Sequence, residues 1–223
     1  MAGNHAGRVV AYFDVDHTLT RIGSLESFIH FYAGTASGAV VSSRVDALLS
    51  LAAHSTDLDE IHQAFANAFR GESWSNLREA GVAWHTSVAS SLYQENVVNA
   101  LQSHLDGNDE IVFVSGSWAP CLEPIARELG VGTVLQSVPQ LEQDGDTLSG
   151  AFEVMMLGPR KASAVRAHAE QTRTDLGAAY AYADHRSDEP LLRIVGNPIV
   201  VGNDPHLVRI AAANSWRLFP GTA

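Results

Sequence analysis

The chain has 223 residues, 46% of them hydrophobic, which suffices for a sizeable core and excludes a disordered or fibrous protein. Its formal net charge of −11, with no basic cluster, opposes a nucleic-acid partner, because nothing is available to replace the counterions of a polyanion. No apolar run reaches bilayer-spanning length, the opening MAGNHAGRVV lacks a secretory signal, and the single cysteine, Cys121, precludes an intramolecular disulfide, so no membrane partner and a cytoplasmic location are expected.

The first seven residues read as a loose tail. Val9 to Phe13 is a short apolar run bounded by charge, the pattern of a buried parallel strand, and it stops at Asp14. From Ile22 to Leu105 there is no convincing strand. Helical periodicities recur there instead: Leu58, Ile61, Phe65 and Phe69 share one face, and Thr56 with Asp59 resembles a capping box in front of it. The stretch predicts an inserted lobe of about four helices. Further buried-strand runs follow at Ile111 to Val114, Ala178 to Ala183 and Pro198 to Val201. Between them, Thr133 to Phe152 alternates apolar and polar residues around Asp144-Gly145-Asp146, which predicts a β-hairpin. Strands alternating with helical patterns indicate an α/β fold with a parallel sheet flanked by helices. Residues 8–21 and 106–220 form its core and residues 22–105 a helical cap.

The polar residues that matter stand at the ends of these strands, where open α/β sheets form their ligand crevice. Asp14 and Asp16, spaced i, i+2, can face one phosphate and one metal ion. After the second run, the Ser115 hydroxyl and the Gly116 N–H can both donate to phosphate oxygens. Lys161 is the one lysine beside 13 arginines, a compact point charge that fits between a carboxylate and a phosphate. Asp184 follows the third run and can complete a magnesium site with Asp14; Asp188 can hold a metal-bound water, orient Lys161 or cap the next helix. Each feature alone suits an ordinary turn, so their order along the chain carries the weight.

That order, DxDxT, strand-end Ser, GxxK and DxxxD, resembles the haloacid dehalogenase-like superfamily of aspartate-nucleophile phosphatases, in the small-helical-cap branch that contains phosphoserine phosphatase. Glu123-Pro124-Ile125-Ala126-Arg127 and Gly196-Asn197-Pro198 are similar to that branch as well. The resemblance implies a Rossmann-like core and a Mg2+-dependent phosphatase acting on a small-molecule phosphomonoester through an aspartyl-phosphate. It makes Asp14 the nucleophile and Asp16 the general acid and base. Ser115, Gly116 and Lys161 bind phosphate, and the side chains of Asp14 and Asp184 with the Asp16 carbonyl hold the metal. Thr18 fixes the loop, and Asp188 supports Lys161 or a metal-bound water. Asp16 favours a phosphatase over a dehalogenase, since an alcohol leaving group needs a proton and halide does not.

Two positions depart from the common pattern, His17 and His185. Phosphoserine phosphatases carry a glutamate nine residues after the nucleophile to receive the substrate ammonium; here that place is Gly23, and Glu26 is expected to face elsewhere along its helix. A different small phosphomonoester is therefore preferred over phosphoserine, with the cap aromatics Phe28, Phe31, Tyr32, Trp74 and Trp84 available for a pocket or for cap core. The alternatives are a phosphotransferase or mutase of the same superfamily, a receiver-like module and an inactive scaffold. Cys121 with Arg127 matches the spacing of cysteine-dependent phosphatases, but Pro124 removes a needed N–H and the segment reads as a helix. No zinc-binding histidine spacing is present.

Overall fold

The computed structural model describes residues 9–219, so the expected tail falls outside the described residues. After β1 (Val10–Phe13) come α1 (Ser24–Ala33), α2 (Ala39–His54), α3 (Leu58–Ala68), α4 (Trp74–Leu92) and α5 (Glu95–Asp106). They are followed by β2 (Glu110–Ser115), α6 (Ala119–Glu128), β3 (Thr133–Gln136), β4 (Val138–Leu141) and β5 (Leu148–Val154). The chain continues through α7 (Pro159–Thr172), β6 (Tyr180–Ala183), α8 (Glu189–Leu192), β7 (Asn197–Val201), α9 (Pro205–Asn214) and β8 (Arg217–Phe219).

Six strands form one parallel sheet in the order β3-β2-β1-β6-β7-β8. The apolar runs become central strands because alternate residues are buried on opposite faces. Phe13, Phe113, Tyr182 and Ile199 belong to the core under α5, α6 and the cap, whereas Tyr12, Val112, Ala181 and Val200 pack with Val165, Leu191 and Leu207 of α7, α8 and α9. In register, Phe13 stands opposite Phe113 on one side and Tyr182 on the other. The connections leave β1 and β6 in opposite directions, so the crevice of the sheet opens at their carboxyl ends.

Two edge strands depart from the sequence expectation. Thr133–Gln136 is not an arm of the hairpin but β3, parallel to β2; the hairpin proper is β4 with β5, and Ser137 alone separates the two sheets. β8 was not anticipated either, being a three-residue, largely exposed edge. Five helices rather than about four fill the insertion, and the cap of α3 is Asp57, whose carboxylate accepts from the N–H groups of Asp59 and Glu60 at 3.0 and 3.2 Å, in place of Thr56.

The insertion is tied back at two places. A short antiparallel bridge joins Thr20 to Tyr93 where the chain enters and leaves it. At the far end, Gly71 and Glu72 exchange main-chain bonds with Leu148 of the hairpin at 2.9 Å. Along its length α4 crosses α6 so closely that a Cβ on Gly81 would lie 1.9 Å from the Pro120 carbonyl oxygen. Alanine in place of glycine within a helix is ordinarily favourable. Here Gly81→Ala is expected instead to destabilise by about 1–3 kcal/mol through overpacking, seen as a melting temperature lower by roughly 2–4 °C per kcal/mol. An unchanged or higher melt would refute the backbone contact.

Candidate active site

The β-ladder continues one residue past β1, with Asp14 N–H donating to Tyr182 O at 2.9 Å, so Asp14 leaves the sheet at a fixed height beside β6. The chain then folds over itself, the N–H groups of Thr18, Leu19 and Thr20 all converging on Val15 O. This turn returns the Thr18 hydroxyl to the carboxylates, 3.2 Å from Asp14 Oδ2 and 2.8 Å from Asp184 Oδ1. From the start of α7, Lys161 Nζ reaches Asp14 Oδ1 at 2.7 Å. The same ammonium lies 3.0 Å from Asp188 Oδ1 and 3.1 Å from Oδ2, with hydrogen-bond geometry only to Oδ2, so the buried Oδ1 has no hydrogen bond.

A cleft of about 350 Å³ opens over these groups, lined by Asp14, Asp16, Lys161, Asp184 and Asp188 together with Gly116. Ser115 lies behind Gly116, fully buried, with its Oγ accepting from Ser117 N–H at 3.0 Å. Asp16 receives the N–H of Ser24, in the first turn of α1, at 2.8 Å. Burial raises the Asp16 pKa, against the lowering effect of the Ser24 bond. Burial and then the Asp14 charge raise Asp184, and burial raises Asp188 against the pull of Lys161. Burial also pulls the Lys161 ammonium down, but the charges of Asp14 and Asp188 outweigh it and leave the pKa raised.

Four carboxyl groups crowd one ammonium, which pairs with two of them, so a cation is favoured wherever they ionise. Among the described residues no three His, Cys, Asp or Glu side chains form a preformed metal cage. Mg2+ does not require one, since it takes one or two carboxylates and fills its octahedron with water and substrate oxygens. The Asp14 and Asp184 carboxylates, linked through Thr18, and the orphaned Asp188 oxygen suit such an ion.

Comparison with known proteins shows the family. The model of the haloacid dehalogenase-like hydrolases matches residues 11–193, the segment that carries every carboxylate just described. The chain belongs to that family. It is 31% identical over 220 residues to the inhibition of morphological differentiation protein of Streptomyces azureus, covering 96% of this chain and 79% of the relative. It is 28% identical over 221 residues to a phosphoserine phosphatase of Mycobacterium tuberculosis, covering 93% and 69% respectively. Among solved structures, a Bordetella pertussis protein of unknown function superposes with a TM-score of 0.83 at 24% identity, covering 96% of this chain and 99% of that one.

The two departures from the family's usual residues have local physical explanations. His17 has φ 58°, a left-handed conformation that favours glycine and strains any other side chain. His17→Gly is therefore expected to stabilise the protein by about 1 kcal/mol, measurable as a melt raised by roughly 2–4 °C; a lower melt would mean that the imidazole makes a compensating contact. His185 caps the 3-10 turn Arg186–Asp188, accepting from Ser187 N–H at 3.2 Å. Asp188 makes no side-chain cap to α8, so its carboxylate is left for Lys161. Cys121 is buried within α6, where burial raises its thiol, while Arg127 is exposed, so the pair forms no phosphate loop.

Sequence reasoning missed His62, and its expectation that Glu26 faces elsewhere is corrected by the structure. Glu26 lines the cleft, because α1 begins only at Ser24 and its first turn faces Asp16. His62 of α3 lines it too, its Nδ1 bonded to Leu58 O at 2.9 Å and its Nε2 turned toward Gly116. Of the stripe Leu58, Ile61, Phe65 and Phe69, the first two are cleft wall and only Phe65 and Phe69 are fully packed. A histidine four residues after a capped helix start was the one available signal. Of the cap aromatics, Phe28, Tyr32 and Trp84 are core, with Phe28 stacked on Tyr32 and Phe69 and edge-on to Trp84 and Trp118.

Proposed function

We propose that the protein is a Mg2+-dependent phosphatase that hydrolyses a small phosphomonoester through an aspartyl-phosphate on Asp14. The observation that carries this reading is the contrast between two carboxylates two residues apart. Asp14 is ion-paired with Lys161 at 2.7 Å, whereas Asp16 forms no ion pair among the described residues and burial raises its pKa. Such a pair divides into a charged group and a proton donor.

In the first step an Asp14 oxygen attacks phosphorus, the ester P–O bond breaks, and the departing alkoxide takes the Asp16 proton. In the second step the Asp16 carboxylate removes a proton from water as that water attacks phosphorus, which frees Asp14 and inorganic phosphate. Lys161 and the Gly116 N–H offset charge on the transferring phosphoryl oxygens, and Asp188 holds Lys161 in place. The Asp14 and Asp184 side chains and the Asp16 carbonyl would hold Mg2+, which would supply further charge compensation. Ser115 stands one residue behind, where its hydroxyl orders the Gly116 turn through Ser117 and remains free to donate.

The family membership and the phosphatase relative in Mycobacterium tuberculosis support this class. Residues 22–105 serve as the cap in this reading, with α1 and α3 forming the roof over Asp14. A screen of phosphorylated metabolites for Mg2+-dependent phosphate release tests it, and release from at least one ester is expected. Silence across amino-acid, sugar, alkyl and aryl phosphates alike would remove the phosphatase reading.

A further inference from the structure

Beside the catalytic cleft lies a second cavity, of about 460 Å³, bordered by α1, α2 and α3 and open to solvent at Ala52 and Ala53. Its walls are apolar: Ile29 from α1, Leu48, Leu49, Ala52 and Ala53 from α2, and Phe65 from α3. Its volume falls in the range, roughly 300–1,000 Å³, that accommodates small organic ligands. Leu25, Glu26, Ile61 and His62 line both spaces, so this chamber adjoins the cleft, and those four residues are the neck between them.

Charge at the neck restricts what can pass. Lys161 is the only lysine or arginine lining the cleft or the chamber among the described residues, and it is already engaged by Asp14 and Asp188. The neck itself presents acceptors. The Glu26 carboxylate lies there, and His62, whose Nδ1–H donates to Leu58 O at 2.9 Å, turns an unprotonated Nε2 toward Gly116. Within the chamber a second anionic group would meet only hydrocarbon, Glu26 and His62, because His17 and His185 stand in the cleft lining and Arg160 is paired with Asp59, which makes its burial costly.

Resting on the phosphatase reading, we propose that the ester's alcohol carries no negative charge and has an apolar body, which occupies the chamber between α1, α2 and α3. The phosphoryl group stays over Asp14, and a hydroxyl or amino group near the ester oxygen would meet Glu26 and His62. This description excludes phosphoserine, whose carboxylate has no counter-charge, and selects amphiphilic phosphomonoesters.

Phosphate release from ethyl, butyl and hexyl phosphate, and from a hexyl phosphate bearing a terminal carboxylate, tests the proposal in the presence of Mg2+. Burial of about 0.8 kcal/mol per methylene corresponds to roughly fourfold in kcat/KM for each added CH₂, so hexyl phosphate should exceed ethyl by on the order of a hundredfold or more. The terminal carboxylate should cancel most of that gain. Ala52→Trp and Ala53→Trp fill the chamber from an exposed side of α2, where a large side chain costs little folding, and each should flatten the chain-length series with its melting temperature retained. If phosphate is released but the series is flat, or its slope survives in both filled variants, the chamber holds something else and the proposal falls while the phosphatase reading stands. If no ester, including an aryl phosphate, yields phosphate, both fall together.

Discussion

Asp14→Asn is expected to slow phosphate release at least about a thousandfold while leaving the protein folded. The amide keeps the size and shape of the carboxylate but cannot attack phosphorus, and no other carboxylate in the cleft stands at the end of β1 with Lys161 2.7 Å away. The folding side of the expectation rests on two opposed terms. Breaking a buried ion pair is strongly destabilising, about 3–5 kcal/mol, when it leaves a charge uncompensated. Lys161 is not left so, because Asp188 lies 3.0 Å from it. Removing the Asp14 charge also relieves a repulsion that helps to raise Asp16, Asp184 and Asp188. The second effect offsets much of the first, and a melting temperature within a few degrees of the parent is expected. Phosphate release and a thermal melt on one preparation check both halves, and activity within tenfold of the parent would sink Asp14 as nucleophile.

The parts of this site that were legible in the sequence share a physical origin. Central parallel strands are buried on both faces, so β1, β2, β6 and β7 appear as unbroken apolar runs, and the polar residue that ends each run is thereby placed at the sheet's carboxyl edge. Asp14, Ser115 and Asp184 were found that way. The edge strands carry no such run. β3 is half-exposed throughout and β8 mostly exposed, so their residues do not differ in kind from loop or hairpin residues. Which residues of the helical insertion face the site was not legible for another reason. Helical periodicity identifies an apolar stripe but does not say whether the stripe meets protein or a cleft, and α3 does both, with Phe65 in the core and Leu58 and Ile61 facing the site. Glu26 and His62 were hidden by the same ambiguity, since tertiary packing alone decides which turn of α1 and α3 points at Asp16.

Removing divalent metal is expected to stop phosphate release and to lower stability in a pH-dependent way, with both effects reversed when Mg2+ is restored. At the floor of the cleft Asp14, Asp16, Asp184 and Asp188 lie together, and the ammonium of Lys161 pairs with only two of them, Asp14 and Asp188. Burial and neighbouring carboxylates raise Asp184, and burial raises Asp188. A carboxyl with a higher pKa in the folded chain binds its proton more tightly there. Its contribution to stability is therefore fully present below the ordinary value of about 4 and is lost as the pH rises through the raised one. The metal-free protein should accordingly lose melting temperature between about pH 4 and neutrality, in the direction opposite to an ordinary salt-bridged carboxylate. Mg2+ competes with the protons held by the same groups, so it binds more strongly as they ionise. At a hundred times its Kd it would add about 2.7 kcal/mol, or roughly 5–10 °C. The gap in melting temperature with and without Mg2+ should thus widen from about pH 5 to pH 8. Asp184→Asn tests the assignment to a residue, because it removes a raised carboxyl and a ligand together: activity, the metal-induced rise and much of the pH-dependent fall should all diminish. Full activity in EDTA, or a metal-induced rise of equal size across the pH range, would mean that these carboxylates do not hold the ion.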